Sequence, residues 1–506
     1  MTITAYGTGA YRSATPNSFA TSRGQLSDLE RQLATQKRAE SYGDLGMDRR
    51  TSLDLNAKVA TLDSWLSGIK LADVNLKLST QAVENFAKMT AETLNDTRSN
   101  TYVETSTGRT APQVLAEEKF KQTLDLLNSA VNGRYLFSGK AFDVQPVESF
   151  DAIMNGDGVR AGLKTLIAER QAADGVGGTG RLTTGGTAAI ATVTREDVND
   201  AYGFALSTPP AVSSSAAMAV TPLAAPDGFS VEVLAQPAVG DTLRFTLSLP
   251  DGTTEEVVLT ARAPGTTGDP TTSFEIGADI DATADSLRNA IGAAIGKEAA
   301  TTLRAASASW TADDFFNYAN DPVSANRQPH RVPASLLDPM EPATPAGTVF
   351  WYKGESGDLR ARETATVQVD KGQIVGTGAR ASEEAFAVGL AQFAVMALET
   401  FPAGDANSQA GYEAMTVRVS EKLGFGGDVQ KPTEIITELG SAQTALSRAK
   451  ERHDSTKTYL TTALADVENI TTEEVAVQLL ALQTQLQASY QTTAILSQLT
   501  LTNYLR

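Results

Sequence analysis

Cysteine is absent from all 506 residues. That excludes disulfide frameworks, thiolate nucleophiles and Cys-based metal sites. Histidine is nearly absent too: His330 and His453 are the only two, too few for a His-rich metal centre or a rich acid–base apparatus. Positive charge is in deficit, with 42 Lys+Arg against 60 Asp+Glu and a net charge of -18. Such a surface opposes phosphate backbones, so nonspecific nucleic-acid binding is not expected. No run approaches the roughly 18 uncharged apolar residues that a membrane span requires. The opening MTITAYGTGAYRSATPNS has neither an apolar centre nor a small-residue cleavage site, so no cleaved secretory signal is expected. Neither G-x-S-x-G nor H-E-x-x-H occurs. Structural and binding roles therefore lead over catalysis.

What is present is heptad spacing at both ends. Phe19, Leu26, Leu29 and Leu33 fit an a/d seam, and Leu55, Val59, Leu62, Leu66, Ile69 and Leu76 continue the pattern with one miss at Asp73. Phe120, Leu124, Leu127 and Val131 follow a capping box at Thr110-Ala-Pro-Gln113. Toward the C-terminus, Ile435, Leu439, Ala442, Leu446, Ala449, His453, Thr456 and Leu460 alternate steps of four and three. Ile470 to Val475 then combines a capping box (Thr471, Glu474) with a hydrophobic staple (Ile470, Val475), opening a seam at Val475, Leu479, Leu482, Leu486 and Leu496. From Val475 to Leu505 there is no charged residue. A helix over Thr472 to Leu505 would run about 51 Å at 1.5 Å per residue, with no charged face for water. Its circumference has to be covered, by its own bundle or by neighbouring subunits.

Between about Phe150 and Arg380 the character changes. Strand alternation occurs at Phe229, Val231 and Val233, and again at Leu243, Phe245, Leu247 and Leu249, with Pro250-Asp-Gly252 turning into Val257 and Leu259. A helix is expected near Thr283, carrying Leu287, Ile291 and Ile295. Strands are expected at Val349 to Tyr352 and at Ala365 to Val369, the latter turning at Asp370-Lys-Gly372. A helical block follows Ser382, through Phe386, Leu390, Phe393 and Leu398. The fold class is mainly α: a long antiparallel helical bundle or coiled coil from both termini, with a β-rich α+β inserted domain.

Candidate chemistry is thin. Gly292-Ala-Ala-Ile-Gly296-Lys297 has three residues between its glycines and Glu298 where a phosphate loop needs Ser or Thr, so it reads as helix interior. Gly177 to Gly180 reads as a flexible loop and His330 as a surface residue. His453 reads as a neutral seam residue donating one hydrogen bond, without metal. The acidic pairs Glu117-Glu118, Glu383-Glu384 and Glu473-Glu474 are placed near helix starts, where the dipole favours them. No catalytic residue, cofactor or metal site is expected.

Three stretches carry a family resemblance. Phe19 to Leu94, broken at Ser41-Tyr-Gly-Asp44, resembles the N-terminal module of the bacterial flagellin superfamily. Asn132-Gly-Arg-Tyr-Leu-Phe-Ser-Gly139 is similar to the entry to that family's β-hairpin. Leu482 to Ser489 with Leu499 to Leu505 is similar to the C-terminal helix of its hook-associated protein 3 group, the hook–filament junction proteins. About the first 150 and the last 125 residues are covered. The resemblance implies an extracellular flagellar subunit exported by the type III apparatus with its chaperone, whose partners are itself, flagellin and a neighbouring hook-associated protein. It also implies an inner helical domain of residues 1–45 and 466–506, packing through Phe19, Leu26, Leu29, Leu33, Leu479, Leu482, Leu486, Leu496 and Leu499. A rod of 46–150 and 381–465 with a hairpin, and an outer β-rich domain of 151–380, complete the expectation. Filament flagellin is the alternative, and a type III-secreted coiled-coil adhesin is more distant.

Overall fold

Each long heptad period becomes a helix. A computed structural model describes residues 9–99, 101–316, 328–355, 357 and 359–504, with side chains from 20 onward in the first helix and up to 495 in the last. The helices are α1 (Gly9–Thr35), α2 (Arg49–Ser99), α3 (Ala111–Leu127), α4 (Phe150–Asn155), α5 (Leu163–Ala173), α6 (Ile280–Glu298), α7 (Arg304–Phe316), α8 (Glu384–Leu398), α9 (Ser408–Lys422), α10 (Pro432–Glu468) and α11 (Thr472–Tyr504). The strands are β1 (Ala130–Val131), β2 (Arg134–Tyr135), β3 (Leu182–Gly185), β4 (Ile190–Arg195), β5 (Ala205–Ser213), β6 (Met218–Ala224), β7 (Asp227–Val233), β8 (Thr242–Ser248), β9 (Thr254–Arg262), β10 (Ser273–Glu275), β11 (His330–Arg331), β12 (Glu341–Pro342), β13 (Thr366–Asp370) and β14 (Gln373–Gly376). The architecture is mainly α with a β-rich insertion.

The chain divides into two compact units. The first holds the described residues up to Leu71, Gln368–Gln373 and those from Ala445. Here α2 buries Leu62, Leu66 and Ile69, and α10 buries Leu446, Ala449 and His453, as their spacing requires. Lys457 bridges to Asp63 at 2.5 Å. The His453 ring lies 5.3 Å from that of Trp65 and its Nε2 meets the Val369 carbonyl oxygen. Beside it Arg452 pairs with Asp370 at 3.0 Å, holding the tip of the β13–β14 hairpin.

The second unit comprises Ala72–Val367 and Ile374–Thr444. Its helical part centres on α8, which is buried around its whole circumference between α3, α7 and α9. Phe86 of α2 meets Phe386 at 4.9 Å and Phe393 at 6.5 Å between ring centroids. The Thr110–Gln113 capping box forms as its sequence requires, and Gln113 Nε2 donates to the Met396 and Glu399 carbonyls at 3.0 and 2.7 Å. After α3, Asn132 and Gly133 take positive φ angles of 52° and 75° and turn β1 into β2, the geometry of a two-residue type I′ hairpin.

Two four-stranded sheets, ordered β10-β9-β8-β5 and β3-β4-β7-β6, enclose a core that α6 completes with Leu287, Ile291 and Ile295. The expected strands at Phe229 to Val233 and Leu243 to Leu249 are β7 and β8, the latter paired antiparallel to β9. Gly292 to Lys297 lies inside α6.

Several expectations need correction. Val349 to Tyr352 is irregular apart from an isolated bridge of Tyr352 to Val147. Trp351 is buried there and donates its indole N–H to the Phe316 carbonyl at 3.0 Å. The apolar run is core filling. Helices α5 and α7 stand where strands were expected to dominate, α7 covering α8. Gly180, at φ +60°, is closely packed under Phe204 and is therefore no loose loop residue. Glu117 and Glu118 lie within α3, where Lys121 takes both carboxylates at 2.8 and 3.2 Å. His330 is half-buried, its Nδ1 2.7 Å from Asp314 Oδ1, and that hydrogen bond raises its pKa above the ordinary histidine value.

Candidate functional site

Within the first unit α1 and α11 pair with each other and leave much of their described surface exposed. Helix α11 begins where the sequence places it. Thr471 Oγ1 accepts from the Glu474 backbone N–H at 3.2 Å, and Glu473 and Glu474 face the positive end of the dipole. Ile470 and Val475 are both buried, closing the staple. The chain reversals before α2 and before α11 then join: Ile470 N donates to the Gln36 carbonyl at 3.1 Å and Arg38 N to the Glu468 carbonyl at 2.8 Å. Glu468 also takes Ser52 Oγ, and Asn56 Nδ2 at 3.1 Å. These bonds anchor one end of the α1–α11 pair.

Along the pair, Leu29, Ile470, Val475 and Leu482 form a buried cluster with Leu26, Leu479 and Leu486 packed at its margin. Five of the residues singled out from the sequence thus come together: Leu26, Leu29, Leu479, Leu482 and Leu486. Leu33 does not; at the last turn of α1 it is 43% exposed. The side chains of Phe19, Leu496 and Leu499 lie outside the described residues.

Heptad reasoning passed over the second face of α11. Val477, Leu480 and Ile495 are 68%, 64% and 57% exposed. The available signal was the missing charge: beyond Glu474 no Asp, Glu, Lys or Arg occurs on α11. A solvated helix presents charge on its outer face. This one presents leucine, valine, isoleucine, threonine and glutamine, a surface suited to close contact with other helices and without groups for bond chemistry. Among the described residues no cluster of three or more His, Asp or Glu could hold a metal ion, and no helix is long and apolar enough to cross a membrane.

A search of the curated proteins finds no match. The family model described as the bacterial flagellin C-terminal helical region does match, over residues 426–505. That span takes in α10, the reversal at Asn469 to Thr471 and the charge-free α11. Residues 426–505 are therefore similar to the C-terminal helical region of bacterial flagellins.

Proposed function

We propose that this chain is a structural subunit of the bacterial flagellum, positioned at the hook–filament junction and assembling through α1 and α11 after type III export. The observation that carries the reading is α11 itself. It lies within the flagellin C-terminal match, bears no charge past Glu474, and leaves Val477, Leu480 and Ile495 in water. Copies of the same helix pair, packed side by side, would remove those residues from water on every side. Each fully buried aliphatic side chain contributes roughly 1.5–3 kcal/mol.

In this reading residues 1–45 and 466–506 form the inner helical layer, 46–150 and 381–465 the rod, and 151–380 the outward domain. Phe19, Leu33, Leu496 and Leu499 join the subunit-packing set with the clustered leucines. Partners are further copies, flagellin, an adjacent hook-associated protein, and the export apparatus with its chaperone; the assembled site is extracellular. The junction role rests on the sequence resemblance of Asn132 to Gly139 to the junction group, a segment that forms a hairpin turn with a buried Phe137 after α3. Filament flagellin is the second reading, and the C-terminal match serves both readings equally.

A deletion strain separates them. Complete hooks, lost motility and flagellin shed into the medium support the junction role. Immunogold labelling of the protein along whole filaments would replace it with the filament reading.

A further inference from the structure

The second unit holds a cavity of about 400 Å³ that the assembly reading leaves unused. Arg170, Trp310, His330 and Met340 line it, with Leu249 and Pro250 as apolar wall and Ser248 beside them. Its volume lies in the range of small-molecule sites, roughly 300–1,000 Å³.

Arg170 is 2% exposed. Its charge is matched by Asp174, which takes Nε at 2.7 Å and is itself fully buried. The two partners are unequally served. Asp174 also accepts from the Gly203 N–H at 2.9 Å and the Ser307 hydroxyl at 2.6 Å, so its acceptor capacity is well used. Arg170 has donors to spare. Nη2 reaches the Ala201 carbonyl at 2.5 Å, whereas Nη1 meets only the Met340 thioether at 2.9 Å, a weak acceptor. Each terminal nitrogen keeps a further N–H with no acceptor among the described residues. Buried donors without strong acceptors are costly, and the Trp310 ring, 4.4 Å from the guanidinium carbon, holds the fork in place.

His330 adds to the same imbalance. Asp314 engages its Nδ1 and its backbone N–H, both at 2.7 Å, leaving Nε2 without a partner among the described residues. At its Arg170 end the cavity thus offers N–H donors in excess of acceptors, with Trp310, Met340, Leu249 and Pro250 as apolar wall and Asp200 at the rim already paired with Arg195.

We propose that this cavity binds a small monocarboxylate with an apolar body, its carboxylate on the Arg170 fork and its body between Trp310, Met340, Leu249 and Pro250. A single negative charge is selected because Asp174 and Asp314 already balance Arg170 and His330. The site gives the outer region a ligand function separate from subunit packing.

The test uses the full-length monomer with sodium benzoate, benzamide and inorganic phosphate, followed by calorimetry and saturation-transfer NMR. Benzoate should bind saturably, with benzamide and phosphate each at least about tenfold weaker, because benzamide is uncharged with a single acceptor oxygen and phosphate has no apolar body for the Trp310 and Met340 wall. Arg170→Lys keeps the charge opposite Asp174 and loses the fork, and should weaken benzoate about tenfold. Should that buried change unfold the chain, Ser248→Phe supplies the independent test. It fills the cavity from its rim without touching Arg170, and should abolish binding while the circular dichroism spectrum stays unchanged. No saturable benzoate binding, equal binding of benzamide, or unaltered binding by a folded Ser248→Phe would overturn the proposal.

Discussion

Replacing Leu480 with aspartate separates assembly from folding. Leu480 sits on α11 and is 64% exposed, so about a third of its side chain is covered by the chain itself. At roughly 1.5–3 kcal/mol for full burial, the lost contact costs the monomer about 0.5–1 kcal/mol. The poorer helix propensity of aspartate adds about 0.5 kcal/mol. Both losses fall on α11 and leave the α8 core untouched. In an assembly that covers Leu480, the new carboxylate is stranded among apolar neighbours without a cation, since α11 offers none beyond Glu474. An uncompensated buried charge costs about 3–5 kcal/mol, equivalent to roughly a hundred- to several-thousandfold weaker incorporation. Leu482→Ala is the companion. Leu482 is 6% exposed in the α1–α11 cluster, and its truncation should cost about 2–5 kcal/mol and loosen the helix pair in the monomer itself. The assay has two parts: limited proteolysis of the purified monomer, and immunoblotting of sheared flagella from a strain carrying only the variant. Leu480→Asp should keep the wild-type digestion pattern and vanish from the assembled fraction, whereas Leu482→Ala should become more sensitive to protease. Recovery of Leu480→Asp in wild-type amounts from sheared flagella would refute the reasoning.

Further outcomes are expected for two helix glycines, for His453 and for excision of the insertion. Gly389→Ala should cost about 1–3 kcal/mol by urea melting, because its Cβ would lie 2.4 Å from the buried Phe86 ring; Gly440→Ala on α10, with nothing within 4 Å, should stabilise by about 0.5–1 kcal/mol. His453→Gln should lower stability by about 1 kcal/mol through the Val369 carbonyl and Trp65 contacts, with metal content by elemental analysis unchanged. Excising Val176 to Thr302 with a short glycine linker should leave a folded, helical chain by circular dichroism, since Asp174 and Ser307 already stand 2.6 Å apart. Excision from Gly158 to Val369 should instead unfold the remainder by stripping α5, α7 and Trp351 from the core around α8.

The long helices, their caps and the paired strands were legible because each follows from a local rule. Steps of three and four place Leu439, Leu446 and His453 on one face whatever lies opposite. Thr110 and Gln113 satisfy each other's backbone within one turn, and alternation marks β7 and β8 because both pack one face on the core. Tertiary structure decided the rest. Trp351 looked like part of a strand, yet its indole found the Phe316 carbonyl, 35 residues away in the chain. His330 looked like a lone surface group until Asp314, 16 residues earlier, was brought beside it. Arg170 carried no signal at all, since its burial depends on Asp174, Ala201, Trp310 and Met340 converging from four segments. On α11 the absence of charge raised the expectation of a covered helix, and the described residues show one side packed on α1 and the other exposed. Heptad spacing already picked out Leu479, Leu482 and Leu486, which pack in the α1–α11 cluster; that Val477, Leu480 and Ile495 stay exposed was decided only by the tertiary structure, because one partner helix covers one side of α11 and no more.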